Sequence, residues 1–323
     1  MSAAHATVED EVRRWVGDEL ARRTGRRAIS IERRPHPYRT SFPLEELDVV
    51  FAGGGRLELA FKDLGLDGLD HAAKLVKGAG HDPRRELEAY RMLDAADLGT
   101  PKLFGTLAEP GQAWLLIERV PGVPLWQVGD REVWRATAAW LAGLHRRFQT
   151  SAAPRDTSLP VHDGAAARAA MSRALGNATG GARTVLERID AGYGEVADWL
   201  DHAPRTLVHG DFHASNVLVD STRRPPRIAP IDWELAAFGA GFIDLASLTA
   251  GQWSEQDRAA FEAAYADADE RPMDDEWLAD LDRCRLHNAV SLLALPPTWR
   301  PPPEHEHDWL AEAAAAASRL GIV

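Results

Sequence analysis

Residues 207–220 read LVHGDFHASNVLVD, a polar loop between two short apolar runs that are typical of strands. The loop places Asp211 and Asn216 five residues apart, and Asp232 follows the next apolar run, IAPI at 228–231. Phosphoryl transfer needs such a set: one aspartate accepts the proton of an attacking hydroxyl, while an amide and a second carboxylate hold divalent cations on a triphosphate. Oxygen ligands of this kind suit Mg²⁺.

The composition excludes several classes of protein. The chain has 323 residues and a formal net charge of −12. Hydrophobic residues make up 45% of the chain and charged residues 27%. This balance is typical of a globular protein, and the length predicts about two domains. The acidic charge argues against a nucleic-acid partner, which would need a basic surface. No apolar run approaches the ~20 residues that span a membrane.

The N-terminal sequence and the cysteine content predict a cytoplasmic protein. The first twenty residues, MSAAHATVEDEVRRWVGDEL, have the pattern of an amphipathic helix and lack the apolar core of a secretion signal. The single cysteine, Cys284, excludes an intramolecular disulfide. The sequence carries no signal for the oligomeric state.

The first third of the chain predicts a β-rich lobe. Its predicted strands cover residues 29–34, 42–51, 56–63, 102–107 and 113–119. Three glycines at 53–55 predict a hairpin turn, and Pro83 begins a helix predicted over 83–96. In the third strand Lys62 alternates with Phe61, so the two side chains are expected on opposite faces.

The remainder is predicted to be mostly helical, with short strands at 206–208, 217–219 and 227–231. In the helix predicted over 132–148, the expected buried stripe is Val133, Ala136, Trp140, Leu144 and Phe148. The interruption PGVP at 121–124 is the candidate boundary. The predicted fold class is α+β, with an N-lobe over residues 1–119 and a C-lobe over 120–323.

The motif HGDxxxxN at 209–216, followed by IDWE at 231–234, resembles the aminoglycoside phosphotransferase/choline kinase-like family. This family is the small-molecule branch of the protein-kinase-like fold. Further similar segments follow in family order: the phosphate-covering hairpin at 34–50, the hinge at 115–122, the helix before the loop at 141–145 and the segment at 241–248. The resemblance implies a two-lobed protein-kinase-like fold.

The resemblance also implies roles in catalysis and metal binding. Asp211 would act as the catalytic base or orient the acceptor hydroxyl. Asn216 and Asp232 would bind Mg²⁺. The reaction implied is transfer of the γ-phosphoryl group of ATP, with GTP as the alternative nucleotide, to a hydroxyl of a small molecule.

For the nucleotide, Lys62 would contact the α- and β-phosphates, and Glu86 would hold it in place. Glu88 is the alternative partner, because it lies two residues further along the same helix, and a surface lysine is the alternative interpretation of Lys62. The remaining contacts implied are those of Thr40 and Ser41 in the covering loop and of the backbone around Glu118 and Val120, which would meet the adenine.

The chain departs from the protein-kinase pattern in three places. It has no GxGxxG loop, and the small-molecule kinases lack this loop as well. The covering loop here reads YRTS at 38–41. It has no APE segment, which counts against a protein substrate. Residues 65–83 form an extra stretch, with two further lysines, Lys74 and Lys77, to which the sequence assigns no purpose.

The acceptor is the open part of the prediction. An antibiotic or related natural product is the favoured class. The alternatives are a choline-, sugar- or homoserine-like metabolite, and a nucleotide-binding module without transferase activity. Residues 254–282 hold eleven acids against two arginines. They either attract a cationic acceptor or, as the slightly favoured interpretation, only solvate a helix face.

Overall fold

The computed structural model describes residues 3–37, 42–65, 82–150, 157–298 and 307–323. The chain divides into two compact units, Met1–Pro121 and Gly122–Val323. Among the described helices, none is long and apolar enough to span a lipid bilayer.

The N-terminal unit is built on one antiparallel sheet of five strands in the order β1-β2-β3-β5-β4. Gly53, Gly54 and Gly55 all have positive φ, near 90°, and form the turn between β2 and β3 as predicted. The elements in chain order are α1 (Ala3–Thr24), β1 (Ala28–Pro35), β2 (Leu44–Phe51), β3 (Arg56–Asp63), α2 (Pro83–Ala96), β4 (Leu103–Glu109) and β5 (Gln112–Glu118).

The two faces of this sheet carry different residues. On one face, Val12, Val16 and Leu20 of α1 form the hydrophobic core with strand residues that include Leu59 and Phe61. The opposite face carries Lys62, as the alternation predicts. Because β3 lies between β2 and β5, Lys62 is not on an edge strand, and only 7% of its surface is exposed.

Helix α2 begins where the sequence predicts. Asp82 caps it by accepting a hydrogen bond from the backbone N–H of Arg84 at 3.0 Å, and Pro83 occupies the first turn. Leu87, Tyr90 and Leu93 are buried at helical spacing. This phase also buries Glu86.

The C-terminal unit is mostly helical and contains two small sheets, β6-β8-β9 and β7-β10. Its strands are β6 (Val123–Pro124), β7 (Thr206–Val208), β8 (Val217–Asp220), β9 (Arg227–Pro230) and β10 (Ala237–Gly239). Its helices are α3 (Arg131–Phe148), α4 (Gly164–Asn177), α5 (Gly180–His202), α6 (Phe242–Leu248), α7 (Glu255–Asp269), α8 (Asp275–Leu293) and α9 (Trp309–Arg319).

The stripe predicted for α3 is wrong in part. Val133 and Leu144 are buried, but Ala136 is exposed and Trp140 is only half-buried. The buried face instead runs through Trp134, Thr137, Ala138, Leu141, Ala142 and His145. The apolar pattern of this alanine-rich helix fits two phases, and packing against α7 and β7 selects one of them.

Candidate active site

The polar loop between β7 and β8 brings Asp211 and Asn216 into contact. Asn216 Nδ2 donates hydrogen bonds to Asp211 Oδ2 at 2.9 Å and to the Asp211 carbonyl at 3.0 Å. A short 3₁₀ turn, Ala214–Asn216, produces this return of the chain. The Asp211 side chain keeps 38% of its surface exposed, so its carboxylate remains open to a ligand.

Asp232 reaches the same end of the β8–β9 hairpin. Val217 pairs with Pro230, and the Ile231 N–H donates to the Asn216 carbonyl at 2.8 Å. Asp232 follows with φ +64° and ψ +59°, a left-handed conformation that is uncommon for a residue other than glycine. The structure therefore gathers all three residues that the sequence selected in this unit.

The loop is held from behind by Asp244 on α6. Asp244 is fully buried and accepts the backbone N–H of His209 at 2.6 Å and of Gly210 at 2.9 Å. His145 Nε2 lies 3.3 Å from Asp244 Oδ2, and its Nδ1 lies 2.8 Å from the Tyr265 hydroxyl. Burial favours a raised pKa for Asp244, but the hydrogen bonds from the His145 side chain and the His209 backbone N–H outweigh burial, so the pKa of Asp244 lies below the usual value.

In the N-terminal unit, Lys62 and Glu86 form the ion pair that the resemblance implied. Lys62 Nζ lies 3.0 Å from Glu86 Oε1 and 2.9 Å from Oε2, and both residues are buried. Glu86, rather than Glu88, is thus the partner of Lys62. A lysine in the middle of a sheet is held in this way only at the cost of desolvating two charges, which points to a purpose for the pair.

The backbone at the predicted adenine contact, around Glu118 and Val120, is partly used within the N-terminal unit. The N–H of Glu118 donates to the Lys102 carbonyl at 2.8 Å, and the N–H of Arg119 donates to the Glu58 carbonyl at 3.1 Å. Both donors are used within the sheet. Val120 is buried, and within the described part of the chain its N–H makes no backbone hydrogen bond; the adenine contact stays a prediction.

Two predicted contacts cannot be placed. Thr40 and Ser41 lie outside the described residues. Residues 66–81 of the extra stretch, which include Lys74 and Lys77, lie outside them too. Their roles stay predictions.

The sequence reasoning missed a cavity of about 250 Å³ next to Asp211. His213, whose Nε2 lies 3.3 Å from Asp211 Oδ1, forms part of its wall. Five other residues of the wall are aromatic, namely Trp126, Trp134, Trp253, His307 and Trp309, and the rest are small or polar, apart from Leu248. The one available signal was the number of tryptophans, 11, of which several stand in predicted loops.

The acids of residues 254–282 lie elsewhere. None of them belongs to the described wall of this cavity. Several are engaged by arginines instead: Asp257 with Arg131 at 3.0 Å, and Asp282 with both Arg285 at 2.9 Å and Arg319 at 2.8 Å.

Comparison with known proteins identifies the family. Residues 78–287 match the family described as "Phosphotransferase enzyme family". The chain belongs to this family. The match covers α2, the Asp211 loop and Asp232, and it confirms the resemblance noted from the sequence.

Solved structures show that this phosphotransferase has a kinase-like fold. The choline kinase LicA from Streptococcus pneumoniae matches with a TM-score of 0.58 and 13% identity, over 96% of this chain and 99% of that chain. An ethanolamine kinase from Plasmodium vivax matches with a TM-score of 0.56 and 12% identity, over 91% and 85%.

An aminoglycoside phosphotransferase, APH(3'')-Id from Streptomyces rimosus, was solved with ADP and streptomycin. It matches with a TM-score of 0.52 and 17% identity, over 82% of this chain and 93% of that chain. These likenesses confirm the predicted α+β kinase-like fold class. No curated protein sequence matches this phosphotransferase closely enough to count as a relative.

Proposed function

We propose that this protein transfers the γ-phosphoryl group of ATP to a hydroxyl of a small molecule, with Asp211 as the catalytic residue. The observation that carries the proposal is the joint placement of Asp211, Asn216 and Asp232 at one end of the β8–β9 hairpin. An unrelated polar turn has no need to hold two carboxylates and an amide together.

The proposed reaction forms a bond between the acceptor oxygen and the γ-phosphorus. The bond from the γ-phosphorus to the β,γ-bridging oxygen breaks, and the products are a phosphate ester and ADP. The hydroxyl proton passes to the Asp211 carboxylate. Asn216 holds Asp211 Oδ2 at 2.9 Å, which fixes the orientation of the carboxylate towards the acceptor.

The donor set at this hairpin fits Mg²⁺. Asn216 uses its amide nitrogen on Asp211, so its amide oxygen is the atom left for a cation, and Asp232 supplies a carboxylate. Among the described residues, no group of three or more His, Cys, Asp or Glu side chains is placed so that it could hold a metal ion. Phosphate oxygens and water would complete the coordination, as is usual for Mg²⁺. The ion would neutralise charge on the transferred group.

Lys62 and Glu86 serve the nucleotide in this proposal. The buried carboxylate holds the ammonium group in one position, so that Lys62 meets the α- and β-phosphates without a further loss of side-chain entropy. The backbone around Glu118 and Val120 would receive the adenine. Thr40 and Ser41 would cover the phosphates.

The similar structures fall into two groups according to the acceptors in their names. Some are named for choline or ethanolamine and others for aminoglycosides. An antibiotic-like natural product and a small metabolite are therefore the two classes that the test must contain.

The test is a mass-spectrometric screen of the full chain with Mg·ATP and Mg·GTP. The panel contains aminoglycosides, nucleoside and peptide antibiotics, choline, ethanolamine, sugars and homoserine, and Asp211→Ala is the control. We expect a product about 80 Da heavier than its acceptor, which is the mass of one added HPO₃ unit. This product should be absent from the control. Nucleotide binding without any product would favour the non-catalytic module.

A further inference from the structure

We propose that the protein associates with a second copy of itself through two surfaces of opposite charge, one on each unit. The basic surface lies on the N-terminal unit and the acidic surface on the C-terminal unit. The contact joins the basic surface of one copy to the acidic surface of another. The inference is independent of the proposed reaction, because neither surface contains a residue of the candidate active site.

The basic surface lies around the turn between β2 and β3. It consists of four exposed residues, Arg26, Arg27, Ile29 and Arg56. The guanidinium group of Arg26 donates to the Gly54 carbonyl in this turn, and the Arg27 carbonyl accepts the N–H of Ala52 just before it. Arg56 follows the turn directly and lies in one row with Val50 of β2 and Ser30 of β1. These contacts place the four residues at one end of the sheet.

No carboxylate pairs with the basic surface in the described part of the chain. Residues 20–31 and 49–57 contain no Asp or Glu. The neighbouring Arg22 and Arg23 are paired with acids of the same unit, but the side chains of Arg27 and Arg56 make no hydrogen bond or ion pair within the described ranges. In a chain of net charge −12, an opposing acidic surface would stabilise such a group of cations.

The basic surface also contains an apolar side chain. Ile29 is 63% exposed, more than any other large hydrophobic residue in the described ranges. It lies at the start of β1, an edge strand of the sheet, where the register shifts between Ala28 and Ser30. An apolar residue among charged ones is typical of a protein–protein contact, whereas a nucleic acid is contacted mostly through its phosphates.

The acidic surface lies at the turn between α7 and α8. Residues 267–278 contain six acids and one arginine. The surface consists of five exposed residues, Asp267, Met273, Asp275, Glu276 and Leu278. Its three carboxylates make no hydrogen bond or ion pair within the part of the chain that the structure describes. Asp275 and Leu278 are three residues apart on α8 and therefore share a face of the helix.

The two surfaces match in charge and in character. Each has three charges of one sign without a counter-charge, next to exposed apolar side chains. A contact between them would pair the charges and remove Ile29, Met273 and Leu278 from water. A nucleic acid or an anionic membrane would use only the basic surface and leave the acidic surface unexplained. A second copy of the chain is therefore the partner that the observations favour.

The contact should be weak and sensitive to salt. Exposed ion pairs contribute little individually and are screened by dissolved ions. The contact joins unlike surfaces, so it either closes as a dimer with two such contacts or continues into larger assemblies.

The experiment is analytical ultracentrifugation of the full chain at about 100 μM, in about 50 mM and about 500 mM NaCl. At the lower salt concentration we expect a species of at least two chains. At the higher concentration we expect single chains, because the Debye length falls to about 4 Å.

Charge reversal tests whether these two surfaces form the contact. Arg27→Glu/Arg56→Glu and Asp267→Arg/Asp275→Arg should each stay monomeric at the lower salt concentration. Mixed in equal amounts, the two variants should associate again, because the mixture contains one intact surface of each kind. Recovery in the mixture also shows that neither variant lost association through misfolding.

Arg13→Glu/Arg14→Glu is the matched control. It changes the net charge as much as the Arg27→Glu/Arg56→Glu variant, and it also replaces two exposed arginines of the N-terminal unit. These two lie on α1, outside the basic surface. The control should associate like the wild type.

Three outcomes of the ultracentrifugation would overturn the inference. These are single chains only at the lower salt concentration, association unchanged in both reversed variants, or no recovery when the two monomeric variants are mixed. The wild type and the Arg27→Glu/Arg56→Glu variant are also offered a DNA duplex and phosphatidylglycerol vesicles. Binding that is lost in the variant, without self-association of the wild type, would assign the basic surface to a polyanion and overturn the inference as well.

Discussion

The buried carboxylate of Asp244 accepts the backbone N–H of His209 over 2.6 Å. The other carboxylate oxygen accepts the N–H of Gly210 at 2.9 Å, so α6 fixes the two residues that precede Asp211. His145 on α3 contacts the same carboxylate. The position of Asp211 therefore depends on a buried contact outside its own loop.

Asp244→Asn should disturb the loop more than the nucleotide site. One carboxylate oxygen becomes an NH₂ group that faces a backbone N–H, which leaves a buried donor unsatisfied at a cost of about 1–3 kcal/mol in the free energy of unfolding. We expect kcat to fall at least tenfold while the Kd of Mg·ATP changes little. Steady-state kinetics and calorimetry measure the two.

The control for this prediction is Asp220→Asn. Asp220 is also a buried carboxylate of the C-terminal unit, but it lies at the far end of β8 and contacts Thr222 and Arg223. It should lose stability without a matching loss of kcat. An equal fall of kcat in both variants would show that Asp244 has no specific effect on the loop.

Gly210→Ala should be strongly destabilising. Gly210 has φ +78°, and a Cβ atom there would lie 2.4 Å from the carbonyl oxygen of Leu235. Strain and overlap together should cost at least about 1–3 kcal/mol, measured by urea unfolding. Gly194→Ala is the matched control, because a Cβ at this helical position meets nothing within 4 Å, and it should be neutral or stabilising. Equal stability of the two variants would contradict the prediction.

Glu86→Gln should weaken nucleotide binding. The change removes the charge that holds Lys62 and leaves a buried ammonium group without its counter-charge, which typically costs about 3–5 kcal/mol when one partner of a buried pair is removed. We expect a higher Kd for Mg·ATP by calorimetry and a lower melting temperature. Glu88→Gln, on the same helix, should leave the Kd within about twofold. Identical Kd values in the two variants would remove the role of the pair.

His287 should make the protein sensitive to acid. Burial lowers the pKa of His287 to about 3, so the imidazole stays neutral in the folded protein. In the unfolded chain it takes up a proton near its ordinary pKa of about 6.5. The unfolded state thus binds more protons between these values, and stability rises with pH across that window by about 1 kcal/mol per pH unit.

His287→Gln should flatten this slope in urea unfolding between about pH 4 and pH 6. His202→Gln, which removes an exposed imidazole from the same unit, is the control. A slope in His287→Gln that equals that of the wild type would contradict the assignment.

Much of the site could be predicted from the sequence because its residues belong to local patterns. Asp211 and Asn216 lie in one loop whose spacing is set by a single short turn, and Asp232 follows the next strand. The face of Lys62 follows from strand alternation alone. The choice between Glu86 and Glu88 required the helix phase, which the structure supplies.

The tryptophan cavity could not be predicted, because its wall comes from distant segments. Trp126 precedes α3, Trp253 follows α6, and Trp309 begins α9. No spacing rule links such positions, and only the packing of helices brings them together. The same reason applies to β6 and β10, which have two and three residues and exist only through pairing with β8 and β7.

The most direct test compares wild type and Asp211→Asn on the acceptor that the screen identifies. Single-turnover transfer and the Kd of Mg·ATP are measured side by side. Loss of the proton acceptor should slow transfer by about 10²–10⁴-fold, while the Kd should stay within about threefold. A transfer rate within about threefold of wild type would contradict the role of Asp211 and the mechanism built on it.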